Sequence, residues 1–194
     1  MQTFRTKLSQ VETALRDAAI YCGHGYESVS DEAVALVLGA AGLPPEQPLS
    51  LLDEPFPAEA ESQLAALLDQ RCHHRLPVAY CLKEAYLAGL RFIADPRALI
   101  PRSPVSHMVA ERLTPWWPED QEPGVIVDVC CGGGSLGLVA AEAFPNAIVL
   151  LSDLDGQALS LAAENIALHR RSDRVITLRT DLLSALSSGS VDVV

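Results

Sequence analysis

The feature that most constrains the fold is a strand-like run that ends in three consecutive glycines. Residues 125–129 read Val-Ile-Val-Asp-Val, residues 130–134 read Cys-Cys-Gly-Gly-Gly, and a helix-forming stretch covers residues 135–144. This order predicts a strand, a tight turn and a helix N-terminus, where backbone N–H groups and the helix dipole face a ligand. Glycines are required there because side chains would hold a ligand away from the backbone. We therefore expect an α/β domain with a ligand site at this turn.

Acidic residues follow the next two strand-like runs. Asp153 lies nineteen residues after Gly134, at the end of the apolar run 147–151, and Asp181 follows the run 175–178. A carboxylate at the end of the second strand is placed to accept hydrogen bonds from two ribose hydroxyls. The position of Asp181 suits an adenine amino group. Together these positions predict a cofactor that contains a nucleoside.

Two cofactor classes remain open. Gly132, Gly134 and Gly137 satisfy the Gly-x-Gly-x-x-Gly fingerprint of dinucleotide sites, which allows an NAD-dependent dehydrogenase. Asp128, however, would repel a pyrophosphate and would suit the ammonium group of an amino acid. More than a hundred residues also precede this unit. The order of acid, glycine loop, acid and acid therefore favours S-adenosylmethionine over NAD.

The composition limits which classes of partner and which cellular compartment we expect for this protein. With 14 basic and 25 acidic residues the net charge is −11, which disfavours direct nucleic-acid binding and is compatible with a basic protein substrate. The five cysteines lack Cys-x-x-Cys spacing, so we expect reduced thiols and no metal site, although Cys72, His73 and His74 are adjacent. No apolar run approaches the ~18 residues of a membrane span, and no signal peptide is visible. We expect a cytoplasmic protein.

Hydrophobic periodicity divides the chain into three parts. Apolar residues at helical spacing predict helices from Phe4 to near Tyr21, over residues 31–41 and over residues 58–75, with a proline-rich loop at 44–57. A hairpin over residues 86–93, an extended piece over 98–100 and a helix over 104–113 follow. The predicted parts are a helical domain, residues 1–76; a connector, residues 77–118; and the α/β unit, residues 119–194.

Several motifs together resemble a known family. Residues 76–80 read Leu-Pro-Val-Ala-Tyr, residues 89–92 read Gly-Leu-Arg-Phe, and residues 99–104 read Leu-Ile-Pro-Arg-Ser-Pro. In this order, ahead of the glycine loop, they resemble the connector of the HemK-like protein-glutamine methyltransferases. Three features favour the branch that methylates a large-subunit ribosomal protein, uL3: Ser103-Pro104, Cys130, and the turn Gly23-His24-Gly25.

The resemblance implies a fold, a cofactor and a set of site residues. The fold would be α/β, a Rossmann-like S-adenosylmethionine-dependent methyltransferase domain, C-terminally incomplete, preceded by a small α-helical domain for substrate recognition and a β-hairpin connector. The partner would be a basic large-subunit ribosomal protein, methylated on a glutamine side-chain amide. The cofactor-binding residues would be Asp128 and the loop Cys130, Cys131, Gly132, Gly133 and Gly134 at the methionine end, Asp153 at the ribose, Asp181 and Leu182 beside the adenine, and Arg102 at one wall.

One departure from the family bears on catalysis. The family's Asn-Pro-Pro-Tyr signature, which follows the fourth strand, does not occur in these 194 residues, and residues 190–194 resemble that strand. The Asn side chain and an adjacent carbonyl are the family's acceptors for the substrate amide, so we assign no catalytic residue and expect this chain to be inactive. A non-catalytic remnant that acts as a binding module stays open as an alternative.

Overall fold

The computed structural model describes residues 2–187 and 189–194. It divides into two compact units, residues 1–82 and residues 83–194. Each unit has its own hydrophobic core. No helix among the described residues is long and apolar enough to cross a membrane.

The first unit is helical throughout. Local capping explains where its first two long helices begin: the Thr3 hydroxyl accepts the Thr6 amide, and Ser28 and Asp31 form a reciprocal capping box. The helices are α1 (Phe4–Asp17), α2 (Val29–Ala40), α3 (Glu61–Cys72) and α4 (Val78–Leu82), with short 3-10 helices at Leu49–Asp53 and Ala58–Ala60.

The first unit extends beyond the predicted boundary at residue 76. The short helix α4, which the sequence placed in the connector, contributes Val78 and Cys81 to the helical core because both side chains are buried there. The predicted helix over residues 58–75 is shorter than expected and begins as a 3-10 turn at Ala58–Ala60. The proline-rich loop likewise contains a 3-10 helix, Leu49–Asp53.

A buried ion pair joins two helices of this unit. Arg71 on α3 donates from Nε and Nη2 to the two carboxylate oxygens of Glu32 on α2, each at 2.7 Å. The Arg71 Nη2 also donates to the Tyr21 carbonyl at 2.9 Å. Glu32 is 1% exposed and Arg71 7%. A buried guanidinium with this bidentate geometry fixes the relative position of α2 and α3.

The second unit opens with the predicted hairpin and continues as an α/β unit. Strands β1 and β2 pair antiparallel, and the turn between them uses the positive φ angles of Ala88 and Gly89. The elements are β1 (Glu84–Leu87), β2 (Leu90–Ile93), α5 (Ser106–Ala110), β3 (Val125–Val129), α6 (Ser135–Ala143), β4 (Ile148–Asp153), α7 (Gly156–Leu168) and β5 (Val175–Arg179).

A parallel sheet of order β3-β4-β5 forms the centre of this unit. Val129 is level with Ser152 on β4, and Asp153 is level with Arg179 on β5. The carboxyl ends of all three strands therefore meet at one edge, where ligands bind in open α/β sheets. The predicted α/β class, with its parallel sheet and preceding helical part, is confirmed.

Two predicted elements of this unit are shorter than expected. The helix over residues 104–113 is formed only at Ser106–Ala110, since Arg112 and Leu113 have positive φ angles of 59° and leave the helical conformation. The strand expected over residues 190–194 is a single parallel bridge between Val193 and Ile126. Its residues still pair with the outer edge of β3, where the Val127 amide donates to the Val193 carbonyl at 2.9 Å.

Candidate functional site

A cavity of about 400 Å³ lies at the carboxyl edge of the sheet. Its size is typical of small-molecule sites. The turn after β3, the turn after β4 and the chain that follows the hairpin each contribute one side. The lining residues are 98–103, which we call the connector wall, residues 128–133, 135 and 136, and residues 153, 155 and 158.

Close packing against Leu151 explains two of the glycines. We call residues 130–134 the glycine loop. Gly134 caps α6 with a φ of +78°, and a Cβ there would lie 2.6 Å from a methyl carbon of Leu151. A Cβ at Gly137 would overlap the other Leu151 methyl. Leu151 is completely buried in the central strand, so it has little room to move. These two glycines allow α6 to approach the sheet, which brings its N-terminus to the cavity.

Asp128 occupies the end of β3 and lines the cavity. Its Oδ2 accepts the Gly137 amide at 2.8 Å, and its Oδ1 has no hydrogen-bond partner within the described residues. Burial raises the pKa of this carboxyl to about 6; the Gly137 hydrogen bond opposes the rise and the nearby charge of Asp153 adds to it. A cationic ligand at Oδ1 would favour the ionised form, as expected for a carboxylate that receives an ammonium group.

Asp153 occupies the end of β4 and is held by two backbone amides. Its Oδ2 accepts the Gly132 amide and its Oδ1 accepts the Asp155 amide, both at 2.9 Å. Each oxygen keeps a second lone pair, and the side chain lines the cavity. The carboxylate is therefore fixed in orientation and can accept hydrogen bonds from a ligand.

Backbone donors complement these two acids. The amides of Gly133, Ser135 and Leu136, which line the cavity, have no acceptor in residues 2–187 and 189–194. Free amides at a helix N-terminus suit an anionic group. Donors for a carboxylate and an acid for an ammonium group thus occur side by side, a combination that fits the amino-acid end of S-adenosylmethionine.

The structure brings together most of the residues named from the sequence. Seven of them line the cavity: Arg102, Asp128, Cys130, Cys131, Gly132, Gly133 and Asp153. Gly134 is buried at the end of the loop, where it caps α6 and does not line the cavity. Arg102 is exposed and makes no hydrogen bond or ion pair with the described part of the chain, so its guanidinium is available to a ligand.

Asp181 and Leu182 are not among the cavity-lining residues. The Thr180 amide donates to the Asp153 carbonyl at 3.1 Å, and the Thr180 hydroxyl accepts the Ala185 amide at 3.2 Å. The chain therefore turns immediately after β5, and Leu182 is 59% exposed with a φ of +49°. The strand-like run before this turn was predicted and forms β5, but the direction of the turn depends on tertiary hydrogen bonds.

The two loop cysteines show no nucleophile geometry. Cys131 is buried, and burial together with the charges of Asp128 and Asp153 raises the pKa of its thiol far above neutrality. Cys130 is exposed at a φ of +58°. Elsewhere, His73 and His74 both contact Asp69, and no group of three or more potential metal ligands occurs in the described residues.

Sequence reasoning missed Asn165. This side chain is completely buried on α7, where it contacts both the hairpin and the glycine loop. The signal was present, because Ala158, Leu161 and Ala162 form an apolar helical stripe and Asn165 continues it. A polar residue within such a stripe requires partners that other elements provide.

The family comparison extends over the site. Residues 106–194 match the model of the methyltransferase small domain. The chain carries a methyltransferase domain. The cavity, with its glycine loop and its two acids, lies largely inside this methyltransferase domain, and the connector wall lies just before it.

Three curated relatives carry one name, ribosomal protein uL3 glutamine methyltransferase. The relative from Bordetella pertussis is 37% identical over all of this chain and 65% of its own length. The relative from Francisella tularensis is 33% identical over 90% of this chain and 56% of its length, and that from Burkholderia pseudomallei is 31% identical over 95% and 60%. The chain thus spans less than two thirds of each relative. The resemblance drawn from the connector motifs is confirmed.

Solved structures align with this chain at low similarity. The N-terminal domain of human METTL16 in complex with SAH aligns with 68% of this chain and 48% of its own, at 15% identity and a TM-score of 0.39.

Proposed function

We propose that this chain supplies the cofactor-binding part of an S-adenosylmethionine-dependent methyltransferase that acts on a glutamine side-chain amide of ribosomal protein uL3. The observation that carries the proposal is the pairing of Asp128 and Asp153 with free loop amides in one cavity of a methyltransferase domain. The names of the three relatives support the choice of substrate.

In this proposal different residues of the cavity bind different polar groups of the cofactor. Asp128 accepts the ammonium group through Oδ1, and the amides of Gly133 and Ser135 donate to the carboxylate. Asp153 accepts hydrogen bonds from the ribose hydroxyls through its remaining lone pairs. Arg102 closes the cavity at the connector wall. Such an arrangement orients the cofactor through charge-assisted hydrogen bonds, which are stronger than neutral ones.

The bound cofactor supplies an electrophilic methyl group on a sulfonium. The transfer would form a bond between the amide nitrogen and the methyl carbon as the carbon–sulfur bond breaks; the sulfur would keep the electron pair as a thioether, and the amide proton would pass to water. An amide nitrogen is a poor nucleophile, so the reaction depends on its placement and on acceptors that polarise its N–H bonds. We assign the residues named above to cofactor binding and orientation, and none of them to that acceptor role.

Binding of the cofactor class is tested by calorimetry on this chain. We expect S-adenosylhomocysteine and S-adenosylmethionine to bind and NAD to give no heat of binding. Binding of NAD without binding of S-adenosylhomocysteine would contradict the methyltransferase proposal and favour an NAD-dependent dehydrogenase.

The substrate is tested with protein expressed from the whole coding region. Labelled S-adenosylmethionine is supplied with uL3, with a peptide-release factor or with RNA, and we expect label on a glutamine of uL3. Label on the release factor instead would assign the protein to the branch of the same family that methylates release factors. Tight binding of uL3 without transfer would favour a binding module.

We further propose that the helical unit recognises the substrate. The net charge of −11 suits a basic ribosomal protein as substrate. Attraction between opposite charges speeds the encounter of two proteins, and added salt weakens this attraction. Deletion of residues 1–82 should then reduce methylation of uL3 much more than the affinity for S-adenosylhomocysteine. An equal loss in both measurements would contradict this division of roles.

A further inference from the structure

The side chain of Asn165 connects the end of β2 to the glycine loop. Its Oδ1 accepts the Ile93 amide at 2.8 Å, and its Nδ2 donates to the Ile93 carbonyl at 3.2 Å and to the Gly133 carbonyl at 3.0 Å. The side chain is 0% exposed. Both amide hydrogens are thus used, one on the end of β2 and one on the glycine loop.

These contacts fix one peptide unit of the loop. The Gly133 carbonyl is held by Asn165, and the N–H of the same peptide, which belongs to Gly134, donates to the Cys131 carbonyl at 2.8 Å. Because a peptide unit is planar, holding both of its polar groups sets its orientation. The amides of Gly133 and Ser135 belong to the peptide units on either side; neither has an acceptor in the described residues, and both residues line the cavity.

The connector wall is tied to the same helix at the neighbouring residue. Arg97 donates to Glu164 at 2.6 Å and to Asp95 at 2.6 Å, directly before the connector wall begins at Ala98. Helix α7 therefore holds one side of the cavity through Glu164 and another through Asn165.

We propose that Asn165 is a positioning residue that orients the glycine loop, through the Gly133 carbonyl, for binding of the cofactor. This inference rests on the proposed function, because the affinity that it sets is that for S-adenosylmethionine or its demethylated product. Asn165 itself does not line the cavity, so its effect is transmitted by the loop.

The test compares Asn165→Asp and Asn165→Ala with the wild type by calorimetry with S-adenosylhomocysteine. Asn165→Asp preserves the shape of the side chain. When it is ionised, however, a carboxylate oxygen replaces the Nδ2 donor and faces the Gly133 and Ile93 carbonyl oxygens, which it repels. When protonated, the introduced carboxyl regains one O–H donor, and burial moves its protonation towards neutral pH. Affinities are measured at about pH 5.5 and about pH 8 as ratios to the wild type. Asp128, Asp153, Glu164 and His169 are present in both proteins, so dividing by the wild-type affinity removes the contribution that these charged groups share.

We expect Asn165→Ala, and Asn165→Asp at the higher pH, to bind at least about tenfold more weakly than the wild type, and the Asn165→Asp ratio to return towards one at the lower pH. The matched control is Asn146→Asp, since Asn146 is exposed in the turn before β4. It should bind as the wild type does.

The outcomes separate the inference from the proposed function. If the wild type fails to bind S-adenosylhomocysteine, the proposed function fails. If it binds and a folded Asn165 variant binds equally well, or the Asn165→Asp ratio does not change with pH, the positioning role is wrong. Failure of both variants to fold, judged by circular dichroism, would assign Asn165 to stability alone and also overturn the inference.

Discussion

The Asp153 carboxylate accepts the amide of Gly132 at 2.9 Å across a sequence separation of 21 residues. The residue that we propose for the ribose therefore also holds the glycine loop. Asp153→Ala should lose the hydrogen bond to the Gly132 amide and the proposed hydrogen bonds to the ribose. We expect it to weaken S-adenosylhomocysteine binding by ~1.5–3 kcal/mol or more, since one hydrogen bond to a charged group contributes an energy in this range. Calorimetry measures this loss. Asp173→Ala, at an exposed position before β5, is the control, and unchanged affinity in Asp153→Ala would remove Asp153 from the ribose site.

The raised pKa of Asp128 predicts a stability gain when its charge is removed. Its pKa rises from 3.8 in a model peptide to about 6 in the folded protein, so the folded state binds the proton more tightly. Stability should therefore fall as pH rises between these two values, and the loss persists above them. Asp128→Asn should be more stable than the wild type at about pH 7, by ~1–3 kcal/mol, in urea unfolding. A less stable variant would contradict the burial of this charge.

The same carboxyl predicts a pH dependence of binding. S-Adenosylmethionine carries an ammonium group, and protonation of Asp128 removes the opposing charge, so wild-type affinity should fall as pH drops through about 6. Asp128→Asn should bind more weakly and lose this dependence. The exposed Asp120→Asn should keep the wild-type profile. Calorimetry at several pH values distinguishes these cases, and identical profiles for Asp128→Asn and the wild type would reject the ammonium assignment.

Gly137→Ala should destabilise the second unit. The new methyl group would overlap Leu151 and lie 3.1 Å from the Asp128 Cβ, and Leu151 is fully buried. Overpacking of this kind costs ~1–3 kcal/mol. Gly156→Ala is the matched control because its Cβ would meet only Arg179, at 3.8 Å, in the first turn of α7. Thermal unfolding of the two variants should differ clearly, and equal melting temperatures would show that α6 can shift freely.

Arg71→Met should destabilise the helical unit more than an exposed arginine substitution does. It leaves the Glu32 carboxylate buried and without its bidentate partner, a loss of ~3–5 kcal/mol for buried pairs. Arg16→Met is the control, since Arg16 pairs with Glu12 on the exposed face of α1 and such pairs contribute ~0–1 kcal/mol. Urea unfolding followed by circular dichroism compares them. Similar midpoints would mean that the buried pair adds nothing to stability.

Local patterns predicted the centre of the site. The strand β3, the glycine loop and α6 are specified by a change from β-branched residues to glycines and then to helix formers within twenty residues. Because parallel strands place their carboxyl ends at one edge, Asp128 and Asp153 could be assigned to a common site before the cavity was seen. Such inferences need only residue order and strand direction.

Features that depend on distant partners could not be predicted in this way. The turn after β5 is set by the Thr180 contacts, and Asp181 and Leu182 within it are not among the residues that line the cavity. Asn165 meets Ile93 across 72 residues, a separation that no sequence window covers. The shortness of α5 likewise follows from the positive φ angles of Arg112 and Leu113, which neither residue type favours.

Asp153 and Asn165 hydrogen-bond to the glycine loop, and Asp128 hydrogen-bonds to Gly137 on the helix α6 that follows it. A loop held by contacts within the chain has little chain entropy left to lose, so we expect capture of the ligand to need no slow ordering step. We therefore expect association in a single kinetic phase, with a rate that rises in proportion to ligand concentration and does not reach a plateau. The heat capacity change should reflect only the apolar area that the ligand covers, without the larger value of coupled folding.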